Sequence, residues 1–189
     1  MYLLTETASP FALERWAAFF ANFGQFAKGF FYTLGISIGA LLVALLLGLI
    51  FGAMSSTHNK VLRGISRVYV EIFQNTPLLV QFVVVFYGIS ILTDGHVMIP
   101  ISLTAILCVG VYTGAYISEI IRTGIEAVPK GQTEAALSQG FTYADTMRII
   151  ILPQAVRTIL PPLTNQVVNL IKNTSTVAII SGADIMFTA

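Results

Sequence analysis

Four polar side chains in the last third of the chain raise the first chemical question. Asn165, Gln166 and Asn169 fall three and four residues apart, so a helix brings them to one face, and Lys172 extends that face by three. Amide and ammonium groups are expensive in hydrocarbon, so this stripe must face protein or water. Two readings suit it. It can line the path of a polar solute, with the Lys172 ammonium meeting a carboxylate of the cargo. Alternatively, Lys172 neutralises a carboxylate of the chain such as Asp184, or snorkels toward the outer interface. Gln81 poses the same choice, since one amide in an otherwise apolar run turns to a pore or to a neighbouring helix. Glu119 and Arg122, three apart, make an ion pair that is either structural or part of a gate.

Other chemistries are disfavoured. Gly35-Ile36-Ser37-Ile38-Gly39 has the spacing of a serine nucleophile elbow, but that device needs a strand before it and a helix after, whereas this pentapeptide sits inside a long apolar run. Packing explains it better, and no other Ser or Cys has a convincing base for an intramembrane hydrolase. His58 and His96 fall on opposite membrane sides in the topology below, which excludes a shared metal site. No Gly-Lys pair occurs anywhere, so the chain has no Walker-type nucleotide loop. The net charge of +1 and the lack of a polybasic run give no case for nucleic acid. Cys108 is alone, so no disulfide forms within the chain.

The elements that position these groups follow from hydropathy. Only 10% of the 189 residues are charged and 56% are hydrophobic, against about 25% charged in a soluble domain. Asp, Glu, Lys, Arg and His are absent from the twenty-nine residues between Lys28 and His58, and from the twenty-two between Glu71 and Asp94 and between His96 and Glu119. Twenty-two helical residues reach about 33 Å, a full bilayer crossing. The expectation is an all-α polytopic membrane bundle with spans at about 29–54, 72–93, 97–118 and 163–180, the last carrying the polar stripe. Residues 1–27 form a separate N-terminal segment, amphipathic from Pro10 to Phe26 and suited to an interface. It lacks the basic start of a cleavable signal, so the first span is expected to remain. Gly35/Gly39, Gly48/Gly52 and Gly110/Gly114 are small-residue pairs suited to close helix contact.

Orientation comes from charge. Lys60, Arg63 and Arg67 crowd the connection after the first span, while the next connection holds only Asp94, Gly95 and His96, so the former is cytoplasmic and the N-terminus outside. Residues 119–157 are then cytoplasmic as well. Within them, Pro129 and Gly131 open a short helix that Gly140 closes. Thr142 to Asp145 is a capping-box-like start to a second helix, which Pro153 is expected to stop. Thr76-Pro77 begins the second span, either as a plain helix start or as a kink that lets spans rock.

The segment Glu134-Ala135-Ala136, three residues, Gly140, nine residues, Ile150, one residue, Leu152-Pro153 resembles the EAA signature of bacterial ABC importer permeases in every position. Physically, an acidic helix start with paired alanines allows close approach to a groove on another protein. Gln74-Asn75-Thr76-Pro77-Leu78-Leu79-Val80-Gln81, Tyr116 to Arg122 running into Lys130-Gly131-Gln132, and Asn169 to Ser175 resemble the polar amino-acid subfamily, although Gln74-Asn75 stands where that subfamily usually has an arginine before Thr-Pro. The resemblance implies a type I importer permease fold in the bacterial cytoplasmic membrane and a polar amino-acid substrate. It also implies an external solute-binding protein, a second permease chain, identical or related, and two ATPase subunits that hold ATP-Mg and grip the Glu134–Pro153 hairpin. The chain itself needs no cofactor on this reading. Family members finish with a complete fifth span, and this sequence is expected to end where that span begins.

Overall fold

A computed structural model describes residues 13–21 and 23–180, and among them every regular element is helical. A short helix, α1 (Leu13–Ala21), precedes α2 (Phe23–Ser55), which at 33 residues is about 50 Å long. The amphipathic N-terminal segment is thus divided between these two helices, and Pro10 and Phe11 lie outside the described residues. Asn59 starts α3 (Lys60–Asn75) by accepting the amides of Val61 and Leu62 on its side chain. A bent continuation follows through α4 (Leu78–Val83), a π-helical turn at Val84–Gly88 and α5 (Ile89–Leu92). Asp94 and Gly95 adopt positive φ in the turn that leads to α6 (Ile101–Glu126).

The cytoplasmic-type segment then folds as α7 (Lys130–Ser138), a one-turn α8 (Tyr143–Asp145), a π-helical stretch at Thr146–Ile151 and α9 (Leu152–Asn173), which runs into a 3-10 stretch at Thr174–Ile180.

The core is built where α2 meets α6. Gly39 faces Ile106, Gly48 faces Ile117 and Gly52 faces Ile121, while Gly110 approaches Val43 and Gly114 approaches Leu47. Both residue series increase together, so the two helices run parallel. A Cβ on Gly52 or Gly110 would lie 2.8 Å from its neighbour, well inside van der Waals contact, which is why these positions are glycine. Gly35 differs from the expectation, since nothing approaches it within 4 Å. Ser37 is buried and donates to the Thr33 carbonyl, as a packed helical serine does. Phe82, Val109 and Leu170 complete the main core, with Cys108 inside it.

Parallel packing has a topological consequence. The chain leaves α2 at one end of the bundle and enters α6 at the other, so residues 56–100 must travel the bundle's length. They do so as a broken helix. The single helix expected over 72–93 is replaced by two, with α3 claiming residues through Asn75 and a 98° bend before Leu78. Pro77 disfavours helical geometry at the residue before it, and Thr76 is extended at φ −103°, ψ 124°.

Two further expectations are corrected. Pro153 does not stop a helix: Leu152 donates to Met147 five residues back, and this wider register leaves the proline in the first turn of α9, where a missing amide is harmless. The span expected to begin at about residue 163 has no separate start, because α9 runs through Pro161 and Pro162 into it. Packing holds the helix together there, with Ala155 buried and Ile159 pressed against Gly124 of α6. Among the described residues, α2 and α6 are apolar and long enough to cross a membrane, with α3 to α5 a third if the bent pair is one crossing. The stretch expected as a fourth span is split between α9 and the 3-10 stretch, and its amides and Lys172 dilute its apolar character.

Candidate functional site

Pro129 caps α7, whose outward side presents Glu134, Ala135 and Leu137 while Ala136 is buried at 3% exposure. Gly140 ends it in the left-handed region, at φ +86°. Its amide donates to Leu137 at 3.0 Å and that of Phe141 to Ala136 at 3.2 Å, the paired bonds of a Schellman turn. Two residues later Thr142 caps the next helix. Its hydroxyl accepts the Asp145 amide at 3.2 Å and donates to the Asp145 carboxylate at 2.5 Å, so the acid meets the hydroxyl rather than the Thr142 amide expected of a capping box.

The returning helix clamps the hairpin to the bundle. Val128, Ile151 and Ala155 form a small core of their own, flanked by Ile125, Met147, Ile150 and Ile159. Gln154 reaches across to Gln132 at 3.4 Å. The EAA-type residues are therefore brought together as one unit: Glu134 and Ala135 exposed on α7, Gly140 at the turn, Ile150 half-buried in the supporting core, and Leu152 and Pro153 exposed just beyond it. This core joins the ends of α6 and α9 directly beside α7.

The other expected positions fall in three places. Gln81 is buried at the bend, where its amide donates to the carbonyls of Phe73 at 3.2 Å and Thr76 at 3.0 Å. Those carbonyls lack helical partners because the chain turns at Pro77, so Gln81 closes the break, and the hydroxyl of Thr76 satisfies Ile72 beside it at 2.7 Å. Asn165, Asn169 and Lys172 are exposed on α9, whereas Gln166, four residues before buried Leu170 and so on nearly the same face, is half-buried. Glu119 and Arg122 pair as expected, and the guanidinium also reaches Glu126 at 2.5 Å.

What the sequence did not single out is the cleft this triad lines. It measures about 790 Å³ and lies between the end of α2, α3 and the end of α6, with Lys60, Arg63 and Arg67 on the α3 side. The signal was present, because residues 60, 63, 67 and 71 follow helical spacing. Tyr69 and Gln74 hold α3 in place by donating to the Val111 and Ala115 carbonyls of α6 at 2.7 and 3.3 Å.

A parallel helix pair, a broken return helix and a clamped hairpin with an exposed helix define a helical membrane bundle. The family described as the binding-protein-dependent transport system inner membrane component matches residues 44–188. The chain belongs to that family, so it is an inner-membrane transporter subunit that works with a binding protein and an ATPase. It is 41% identical over 173 residues to the probable glutamine ABC transporter permease protein GlnM of Bacillus subtilis, covering 90% of this chain and 77% of that one. It is 35% identical to the glutamate/aspartate import permease protein GltJ of Escherichia coli K12, over 85% of this chain and 70% of that one. A crystal structure of an amino acid ABC transporter with histidines superposes with TM-score 0.83 at 32% identity, covering 96% of this chain and 81% of the other. An inward-facing MetNI methionine ABC transporter shares the fold at TM-score 0.69 and 18% identity, over 86% of this chain and 76% of the other.

Proposed function

We propose that this chain is the membrane permease subunit of an ATP-binding-cassette importer that carries a polar amino acid, such as glutamine or glutamate, across the bacterial cytoplasmic membrane. The observation that carries the reading is the clamped hairpin, a short helix with Glu134, Ala135 and Leu137 exposed and a dedicated core behind it. The relatives named for glutamine and glutamate/aspartate transport supply the substrate class.

A nucleotide moves a two-state protein only through differential interaction with the two states. Two ATPase subunits, holding ATP-Mg, therefore act through contacts with α7 of this chain and of a second permease chain, identical or related. Their closure pushes both hairpins, and the bundles rock as rigid bodies between inward-facing and outward-facing states. An external solute-binding protein delivers the amino acid. The stripe of Asn165, Gln166, Asn169 and Lys172 lines the path toward the second permease chain. The bend at Thr76-Pro77 and the Glu119–Arg122 pair serve gating, and Gln81 holds the bend. The N-terminus lies outside and residues 119–157 in the cytoplasm, with the parallel course of α2 and α6 in support, because both then cross inward and α3 to α5 return.

The test is uptake in proteoliposomes. Labelled amino acid accumulates only when ATP, the ATPase subunits and the binding protein are all present. Accumulation driven by a proton gradient alone would defeat the proposal.

A further inference from the structure

The cleft beside α3 has walls of opposite charge. On α3, Lys60 and Arg63 have no carboxylate partner among the described residues, whereas Arg67 is matched by Glu71 at 2.7 Å, leaving two cations in excess. On α6, the single guanidinium of Arg122 is shared between Glu119 and Glu126, leaving one carboxylate in excess. Glu126 meets Arg122 through one oxygen, Oε2, so its other oxygen is available. The space between these walls is about 790 Å³, ample for a small solute. Its rim also touches the coupling unit, since the His58 ring meets that of Tyr143 at 5.3 Å, edge to face.

A basic wall facing an acidic one complements a molecule that carries both charges, and it leaves one wall unmatched by a simple anion or cation. We propose that the cleft is a cytosol-side binding site for an α-amino acid zwitterion, with Lys60 and Arg63 taking the carboxylate and Glu126 the ammonium. The proposal rests on reading the chain as an amino-acid permease and places a second site at the release end, apart from the α9 stripe. All three side chains are exposed, so binding is weak, as release requires.

The test is equilibrium binding of L-glutamine and L-glutamate to the nucleotide-free permease–ATPase complex in nanodiscs of zwitterionic lipid, without binding protein. L-glutamine methyl ester lacks the carboxylate charge and N-acetyl-L-glutamine lacks the ammonium. Each binds about tenfold more weakly than L-glutamine, the loss expected for one partly solvated charged hydrogen bond. Lys60→Gln combined with Arg63→Gln abolishes the discrimination against the ester, Arg63→Lys alone retains it, and Glu126→Gln abolishes the discrimination against the acetylated compound. Equal binding of all three compounds, unchanged discrimination in the variants, or no binding at all overturns the site. Displacement of the amino acid by phosphatidylglycerol overturns it too, assigning the cations to lipid headgroups. ATP-driven uptake by the same complex separates the two failures: uptake without charge-dependent binding removes only the cleft site, whereas failure to take up any amino acid removes the functional reading itself.

Discussion

Gly140 and Gly48 are both glycines of the family-matched region, yet they are glycine for different reasons. At Gly140 the space is open but φ is +86°, so any L side chain is strained there. Gly140→Ala should cost the hairpin about 1 kcal/mol, read as roughly fivefold faster hydrogen exchange at the Gly140 and Phe141 amides. Unchanged exchange would show that the turn tolerates a side chain. At Gly48 the backbone is ordinary helix, but an added Cβ collides with Ile117 across the α2–α6 contact. Gly48→Leu should sharply reduce the yield of folded protein in detergent, whereas Gly35→Leu, with nothing within 4 Å, should leave it unaltered. Equal yields from these two variants would contradict the packing described. The five-residue elbow pattern around Ser37 matched a catalytic spacing and proved to be helix packing, because spacing alone cannot report whether a strand precedes the serine.

Among the elements, the break between α3 and α4 shows how a helix interruption is stabilised in a membrane protein. A 98° bend leaves carbonyls without helical partners, and Gln81 and Thr76 supply donors for three of them. Gln81→Leu should therefore destabilise the fold by about 1–3 kcal/mol, the cost of leaving buried carbonyls unsatisfied. Thermal unfolding in detergent measures this, and spin labels on either side of Pro77 should report a broadened distance distribution. A Gln81→Leu variant as stable as the parent would return Gln81 to the solute path. The sequence showed Thr76-Pro77 as a boundary or kink but gave no bend angle, since proline dictates what the backbone cannot do rather than where it then goes. Pro153 shows the same limit. A proline ends an ordinary α-helix, but the π-helical register before Pro153 places it in the first turn of α9 and the helix continues.

For the molecule as a whole, the proposed function makes the hairpin the point where an ATPase subunit acts. Glu134 is exposed on α7 and contributes nothing to the core behind it. Glu134→Lys should abolish ATP-coupled uptake while membrane insertion and thermal unfolding stay as in the parent. A variant that still transports at the parental rate would mean that α7 is not the docking element. The supporting core of Val128, Ile151 and Ala155 makes this separation of function from stability testable, because exposed Glu134 lies outside it.

The sequence by itself determined the helical membrane class, the region of the hairpin and the family resemblance. Each of these is written in local composition, in charge-free runs and in the fixed spacing from Glu134 to Pro153. Tertiary structure alone decided that α2 and α6 run parallel and that Gln81 closes a bend. It also decided that α9 continues through two interior prolines and that Lys60, Arg63 and Glu126 line one cleft. These are relations between residues far apart in the chain. A side chain's hydropathy states what environment it needs, but many partners can supply that environment, and only packing selects one.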